Sequence, residues 1–87
     1  MGILWDDDAW MDYLEWQKTN KKKLKKINEL IKDTQRSPYE GIGKPEKLKG
    51  DLAGLISRRI DEDNRLVYRV KDGNIEILSC KTHYENI

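Results

Sequence analysis

Eighty-seven residues supply one hydrophobic core and no second one, because a chain this short buries only about 60% of the surface its unfolded form exposes. Charged residues make up 38% of the chain, but 3 Trp, 4 Tyr, 9 Ile and 9 Leu carry the apolar area that a disordered chain lacks. A single cysteine (Cys80) excludes an internal disulfide framework, a single histidine (His83) excludes a multi-His metal centre, and no run of about 18 apolar residues is present to cross a membrane.

The acidic start, with Asp6, Asp7 and Asp8, lacks the basic charge of a signal peptide, so the chain reads as cytoplasmic. The net charge of +1 hides a polarity: residues 1–16 carry −5 and residues 17–87 carry +6. A basic body with an acidic end fits a polyanion partner, and it also fits a solvated, salt-bridged surface.

Ile3-Leu4-Trp5 is a short apolar run read as a first strand. Asp6 is placed to cap a helix whose dipole favours Asp7 and Asp8 in its first turn. Trp10, Tyr13 and Leu14 then recur at helical spacing up to about Thr19. Asn20 can cap a second helix, with Leu24, Ile27 and Ile31 as its buried seam and Leu30 beside it. Lys21, Lys22, Lys23, Lys25 and Lys26 flank that seam. Ser37-Pro38 ends the helical pattern, since the residue before proline is pushed out of the helical region.

Residues 39–46 hold two glycines and a proline and read as an ordered loop, with a helical turn over Lys47-Leu48-Lys49. Three strands follow, Leu55–Ile60, Leu66–Val70 and Ile75–Cys80; Asp72-Gly73-Asn74 marks a hairpin between the last two. The whole is an α+β domain over residues 1–87, in the order β-α-α-loop-β-β-β. Two helices cover one face of a mostly antiparallel sheet. Alternation puts Leu66, Tyr68 and Val70 on one face and Arg65, Val67 and Arg69 on the other. If the helices cover the Tyr68 side, the open side carries Arg65 and offers places for Arg59 and His83.

Most enzyme classes lack their tools here: there is no P-loop, no dinucleotide-binding glycine motif and no nucleophile motif. RNA cleavage by attack of the substrate's own 2′-hydroxyl remains open, because it requires no protein nucleophile, metal or cofactor. It needs a base, an acid and fixed cations around phosphorus. A loop carboxylate, one imidazole and several guanidiniums can form such a set, with arginine limited to charge stabilisation because it does not titrate. Each piece also has a plain structural reading. Glu46 could start a helix, Arg58, Arg59 and Arg65 could pair with Asp61 and Asp63, and the lysines could be a solvated helix face. His83 could be structural, Tyr84 an edge aromatic, and Cys80 a small buried hydrophobe.

Six tracts in order carry a resemblance that spacing alone does not. They are Trp10-Met11-Asp12-Tyr13-Leu14-Glu15-Trp16-Gln17, Lys26-Ile27-Asn28-Glu29-Leu30-Ile31-Lys32-Asp33 and Gly41-Ile42-Gly43-Lys44-Pro45-Glu46-Lys47-Leu48-Lys49, then Ser57-Arg58-Arg59-Ile60, Arg65-Leu66-Val67-Tyr68 and His83-Tyr84. From Trp5 to Tyr84 the chain resembles the YoeB/Txe toxins of the RelE superfamily, bacterial ribosome-dependent mRNA endonucleases with a microbial-RNase-like fold. The resemblance implies cleavage of mRNA in the ribosomal A site without metal or cofactor. It implies Glu46 as general base, His83 as general acid, and Arg65 as stabiliser of the pentacoordinate phosphate. Lys49 and Arg59 would add positive field, and Tyr84 would hold the base near the scissile bond.

Lys22, Lys25 and Lys26 on the second helix would contact ribosomal RNA. The implied partners are the ribosome with its mRNA and a cognate antitoxin of the YefM/Axe/Phd type, with operator DNA reached only through the antitoxin. Family members often form homodimers, and Trp5, Trp10 and Trp16 exceed what one small core needs. The alternative is a protein that occupies the A site without cutting, or a co-repressor. Two departures stand out. Leu55-Ile56 precedes the serine of the Ser57-Arg58-Arg59 strand where the family often has an aromatic, and Glu85-Asn86-Ile87 forms a short extension past the usual His-Tyr end.

Overall fold

The computed structural model describes residues 1–81. Strand β1 (Ile3–Trp5) leads into helices α1 (Asp7–Thr19) and α2 (Lys21–Arg36). A loop then reaches strand β2 (Glu46–Lys47), a short 3₁₀ turn (Gly50–Leu52), and strands β3 (Ile56–Arg59), β4 (Arg65–Lys71) and β5 (Asn74–Ser79). The sheet order is β1-β5-β4-β3-β2, with β1 parallel to β5 and every other pair antiparallel. The α+β class and the element order follow the sequence reading. A first local expectation fails: Glu46–Lys47 is an edge strand paired with Ser57 and Ile56, and the helical turn comes later, at Gly50–Leu52.

Asn20 joins the helices. Its backbone N–H donates to the Trp16 carbonyl to close α1, and its side chain accepts from the Lys23 N–H (3.1 Å) to open α2. One residue thus satisfies orphan groups of two helices, which is why the hairpin needs no longer linker. Asp6 occupies the start of α1 but makes no side-chain cap, leaving Asp7 and Asp8 to interact with the dipole. The buried side of α1 is Ala9, with Tyr13 and Trp16 packed against the core; Trp10, expected on that stripe, is exposed beside Trp5 (centroids 5.5 Å). The buried seam of α2 is Ile27, Leu30 and Thr34, with Ile31 at its margin.

These helical faces meet one side of the sheet, where Ile56, Leu66, Tyr68, Ile75 and Ile77 are buried. Between Val67 and Tyr68 the β4–β5 register shifts: Tyr68 opposes Ile77 but Val67 opposes Ser79, leaving Leu78 as the extra residue. The bulge reverses alternation along β5. It turns Cys80 into the core, against the Ala9 carbonyl (3.6 Å), and turns Ser79 to the open side with Val67.

Arg58 is fully buried on the helix side, in the same alternating row as Ile56 and Ile60. All five of its N–H donors have acceptors: Nε–H donates to the Tyr68 hydroxyl (2.9 Å), Nη1 to Asp33 Oδ2 (2.7 Å) and the Ile42 carbonyl (3.1 Å), and Nη2 to the Ser37 (2.6 Å) and Glu40 (3.1 Å) carbonyls. The Tyr68 hydroxyl in turn donates to the Pro38 carbonyl (2.6 Å). The pairing of Arg58 with Asp61 or Asp63 that composition allowed does not occur; its partner is Asp33 of α2. The glycine-rich loop is thereby tied to the sheet at four carbonyls and delivers the chain to β2.

Gly43 makes that close approach possible. Its φ is +79°, its carbonyl accepts from the Arg59 N–H (2.7 Å), and a Cβ there would lie 2.6 Å from Leu30 Cδ2. Gly73 has nearly the same φ (+78°) with nothing near its missing Cβ, so it isolates the backbone cost. Gly73→Ala is expected to cost about 1 to 2 kcal/mol in urea unfolding. Gly43→Ala is expected to cost about 1 to 3 kcal/mol more, because it adds a collision in a packed core. Equal costs would show that the loop does not seat against Leu30.

Candidate functional site

The sheet face away from the helices gathers three of the charged residues singled out by sequence, Glu46, Arg59 and Arg65. Register places Glu46 opposite Ser57, Ser57 opposite Val67 and Val67 opposite Ser79, so these four form one row across the sheet. Arg59 opposes Arg65 in the next row on the same face. Neighbouring strands lie about 5 Å apart and alternate residues about 7 Å along a strand, so a carboxylate and two long guanidiniums border a patch of phosphodiester size. Ser57 and Val67 are buried at its floor, Glu46 and Arg59 are exposed, and Arg65 is half-buried.

Lys49 lies beyond β2, where Glu46, Lys47, Leu48, Lys49 and Leu52 line a cleft of about 330 Å³. Glu46, Arg59 and Arg65 are therefore brought to one surface, with Lys49 at its border. Lys22, Lys25 and Lys26 are not; they belong to α2, in the layer behind the sheet, with Lys22 and Lys25 exposed and Lys26 half-buried. His83 and Tyr84 lie outside the described residues. Among the described residues, no group of three or more His, Cys, Asp or Glu side chains is placed to hold a metal ion.

Arg65 is held by the turn between β3 and β4. Its Nη1 donates to the carbonyls of Asp61 (2.6 Å), Glu62 (3.1 Å) and Asn64 (3.1 Å). It is paired with no carboxylate among the described residues, so its charge is oriented without being neutralised. The Asp61 carboxylate faces elsewhere, accepting from the Asp63 N–H (2.8 Å), the Asn64 N–H (2.8 Å), the Asn64 side-chain amide (3.1 Å) and Lys23 Nζ (3.1 Å). Burial acts to raise the Asp61 pKa, but the hydrogen bonds from Asn64, Lys23 and Asp63 overcome it and hold it at about 2. Farther along the open face Arg69 pairs with Glu76.

Behind the site, Asp33 is held well below the usual carboxylate range by Arg36, then by the Ile42 N–H and Arg58. Cys80 is pushed up to about 12 by burial and by Asp12, so it is an inert apolar group, as its strand position implied.

The sequence reading passed over Asp33, Arg58, Asp61 and Tyr68 as supports of this face. A signal for Arg58 was present: it shares strand parity with Ile56 and Ile60, whereas Arg59 does not.

Residues 5–84 match the family model of the YoeB-like toxin of bacterial type II toxin–antitoxin systems. The chain belongs to this family. It is 56% identical over 84 residues to Toxin YoeB of Escherichia coli strain K12, a match covering 97% of this chain and 100% of the relative. Among solved structures it superposes on a YoeB/ParE toxin from Agrobacterium tumefaciens with a TM-score of 0.94 at 45% identity, over 97% of this chain and 100% of that one. It also superposes on a chain of the YoeB–YefM complex from Staphylococcus aureus with a TM-score of 0.88 at 53% identity, over 97% and 98% of the two chains. This member of the YoeB family is thus a toxin of a toxin–antitoxin system.

Asp33 and Asp61 both have depressed pKa values in the folded state, so both contribute stability that is fully present above the unfolded carboxylate value and lost as pH falls through the folded one. Denaturant-measured stability is expected to hold from about pH 7 to about pH 5 and to fall below about pH 4. Asp33→Asn is expected to be less stable at neutral pH and to lose less on acidification. An unchanged acid slope in that variant would remove Asp33 from the linkage.

Proposed function

We propose that this toxin is a ribosome-dependent mRNA endonuclease that cuts mRNA in the ribosomal A site and so stops translation. The observation that carries the reading is the register of β2 with β3 and β4, which sets Glu46 on the open face with Arg59 and Arg65. Membership in the YoeB family and the His83-Tyr84 pair in sequence support it further.

In this reading Glu46 removes the proton of the 2′-hydroxyl, whose oxygen attacks the adjacent phosphorus. His83 donates a proton to the departing 5′-oxygen, leaving a 2′,3′-cyclic phosphate on one fragment and a 5′-hydroxyl on the other. Arg65 stabilises the charge that accumulates at pentacoordinate phosphorus, and Arg59 and Lys49 add positive field around it. Tyr84 stacks on or orients the base beside the scissile bond. The residues named complete the reaction without a cofactor. Bending RNA into in-line geometry is a task the fixed mRNA of a ribosome performs, which accounts for the ribosome requirement.

The toxin reaches that site through phosphate contacts from Lys22, Lys25 and Lys26, whose helix is the other exposed basic surface. Its regulators are an antitoxin of the YefM type, which reaches operator DNA on the toxin's behalf, and a second copy of the toxin. The exposed corner of Leu4, Trp10 and Met11 beside Trp5 is the apolar surface a second copy would bury. It works in the cytoplasm, where ribosomes are.

The test is primer extension on programmed ribosomes. New mRNA 5′ ends at the A-site codon are expected with the unaltered protein and at least about a hundredfold fewer with Glu46→Gln or His83→Gln. Translation block without new ends, equal in both variants, would overturn the nuclease reading in favour of a non-cleaving A-site blocker.

A further inference from the structure

The turn that holds Arg65 is itself built by one side chain. Asp61 Oδ1 accepts from the backbone N–H groups of Asp63 and Asn64, both at 2.8 Å, which folds residues 61–64 back on themselves. The Asn64 carbonyl closes the other side by accepting from the Ile60 (3.0 Å) and Asp61 (3.3 Å) N–H groups. This geometry turns the carbonyls of Asp61, Glu62 and Asn64 onto the same nitrogen of Arg65. Lys23, in the middle of the lysine run, does not point to solvent like its neighbours. It reaches the second carboxylate oxygen of Asp61 at 3.1 Å and ties the turn to α2.

We propose that Asp61 is a positioning residue for Arg65, with Lys23 as its latch on α2. The carboxylate shapes the turn, and the turn's carbonyls immobilise one guanidinium nitrogen on the face that also carries Arg59. Among the described residues neither Nε nor Nη2 of Arg65 makes a hydrogen bond, so the Nε–Nη2 edge is available for a phosphate in bidentate fashion. Carbonyl oxygens hold the cation without cancelling it, as a carboxylate partner would. The inference rests on the nuclease reading for its catalytic consequence, but its structural part stands apart from it.

Two measurements separate these parts. In ¹⁵N-arginine spectra of the isolated toxin, the Nη1 protons of Arg65 are expected to be resolved because rotation is blocked. They should be averaged in Asp61→Ala and resolved again in Asp61→Asn, whose amide oxygen still accepts the two N–H groups. Averaged protons in the unaltered protein, or resolved ones in Asp61→Ala, would overturn the positioning whatever the reaction proves to be.

In single-turnover cleavage on ribosomes, Asp61→Ala is expected to lower the rate about tenfold at saturating ribosome. Asp61→Asn should recover to within about threefold of the unaltered protein, and Lys23→Ala should fall between the two. In an Arg65→Ala background the Asp61→Ala change is expected to have no further effect, because the two act as one unit. The same tenfold loss in both backgrounds would show a general structural role instead and overturn the proposal. No cleavage by the unaltered protein, with Arg65 still immobilised, would refute the nuclease reading while leaving the positioning intact.

Discussion

The arrangement depends on a guanidinium taken out of water. An arginine side chain is expensive to bury unless its charge is paired and every donor is met. Arg58 meets both conditions with Asp33, Tyr68 and three backbone carbonyls of residues 37–42. Because those acceptors come from α2, β4 and the loop, satisfying one side chain fixes three parts of the chain relative to each other. Removing it would strand five acceptors at once, a loss of roughly 3 to 5 kcal/mol by analogy with broken buried pairs. The loop then has no freedom in where it hands over to β2, and Glu46 arrives opposite Ser57.

Parity along the strands separates the buried charge from the exposed ones. The helix-covered face takes most of the apolar core and Arg58, whose charge is met by Asp33. The other face takes Arg59 and Arg65, whose charges are not cancelled by any carboxylate among the described residues. Adjacent arginines in one strand thus have opposite surroundings, decided by a single residue of offset. The bulge at Leu78 serves the same separation. Without it Ser79 would face the helices and Cys80 the open side; with it the end of β5 sends Ser79 toward the row of Glu46. Charge polarity along the chain follows the helices, with five carboxylates on α1 and its cap and the lysine run of residues 21–26 on α2.

Much of this could be read from the residues. Asn20 announced both helix ends, Pro38 the end of α2, and Asp72-Gly73-Asn74 the hairpin. Alternation in Arg65–Val70 put Arg65 on the open face. The resemblance of the Gly41–Lys49 and Ser57–Ile60 tracts named the family. Other features were hidden for physical reasons. A two-residue strand such as Glu46–Lys47 has no period to detect, and its existence depends on pairing with β3. Trp10 follows the helical stripe but packs on the rings of Trp5 and Tyr13 with one side exposed, so pattern alone overstated its burial. The bulge in β5 is a tertiary adjustment that alternation along one strand cannot show, because it depends on the pairing of Val67 with Ser79. The turn at Asp61 looked like a pool of acids for arginine pairing. Its carboxylate instead shapes the backbone, and the backbone holds the arginine. His83 and Tyr84, named by resemblance, lie beyond the described residues.

In the proposed reaction a carboxylate and an imidazole of this one chain exchange protons on either side of a single phosphodiester. That reaction requires an ionised base and a protonated acid, so joint action of Glu46 and His83 would leave a signature in pH. Single-turnover cleavage on programmed ribosomes from about pH 5 to about pH 9, with chemistry limiting, is the direct measurement. A bell is expected, whose alkaline limb disappears, at a much lower rate, in His83→Gln. A flat profile across that range would contradict it.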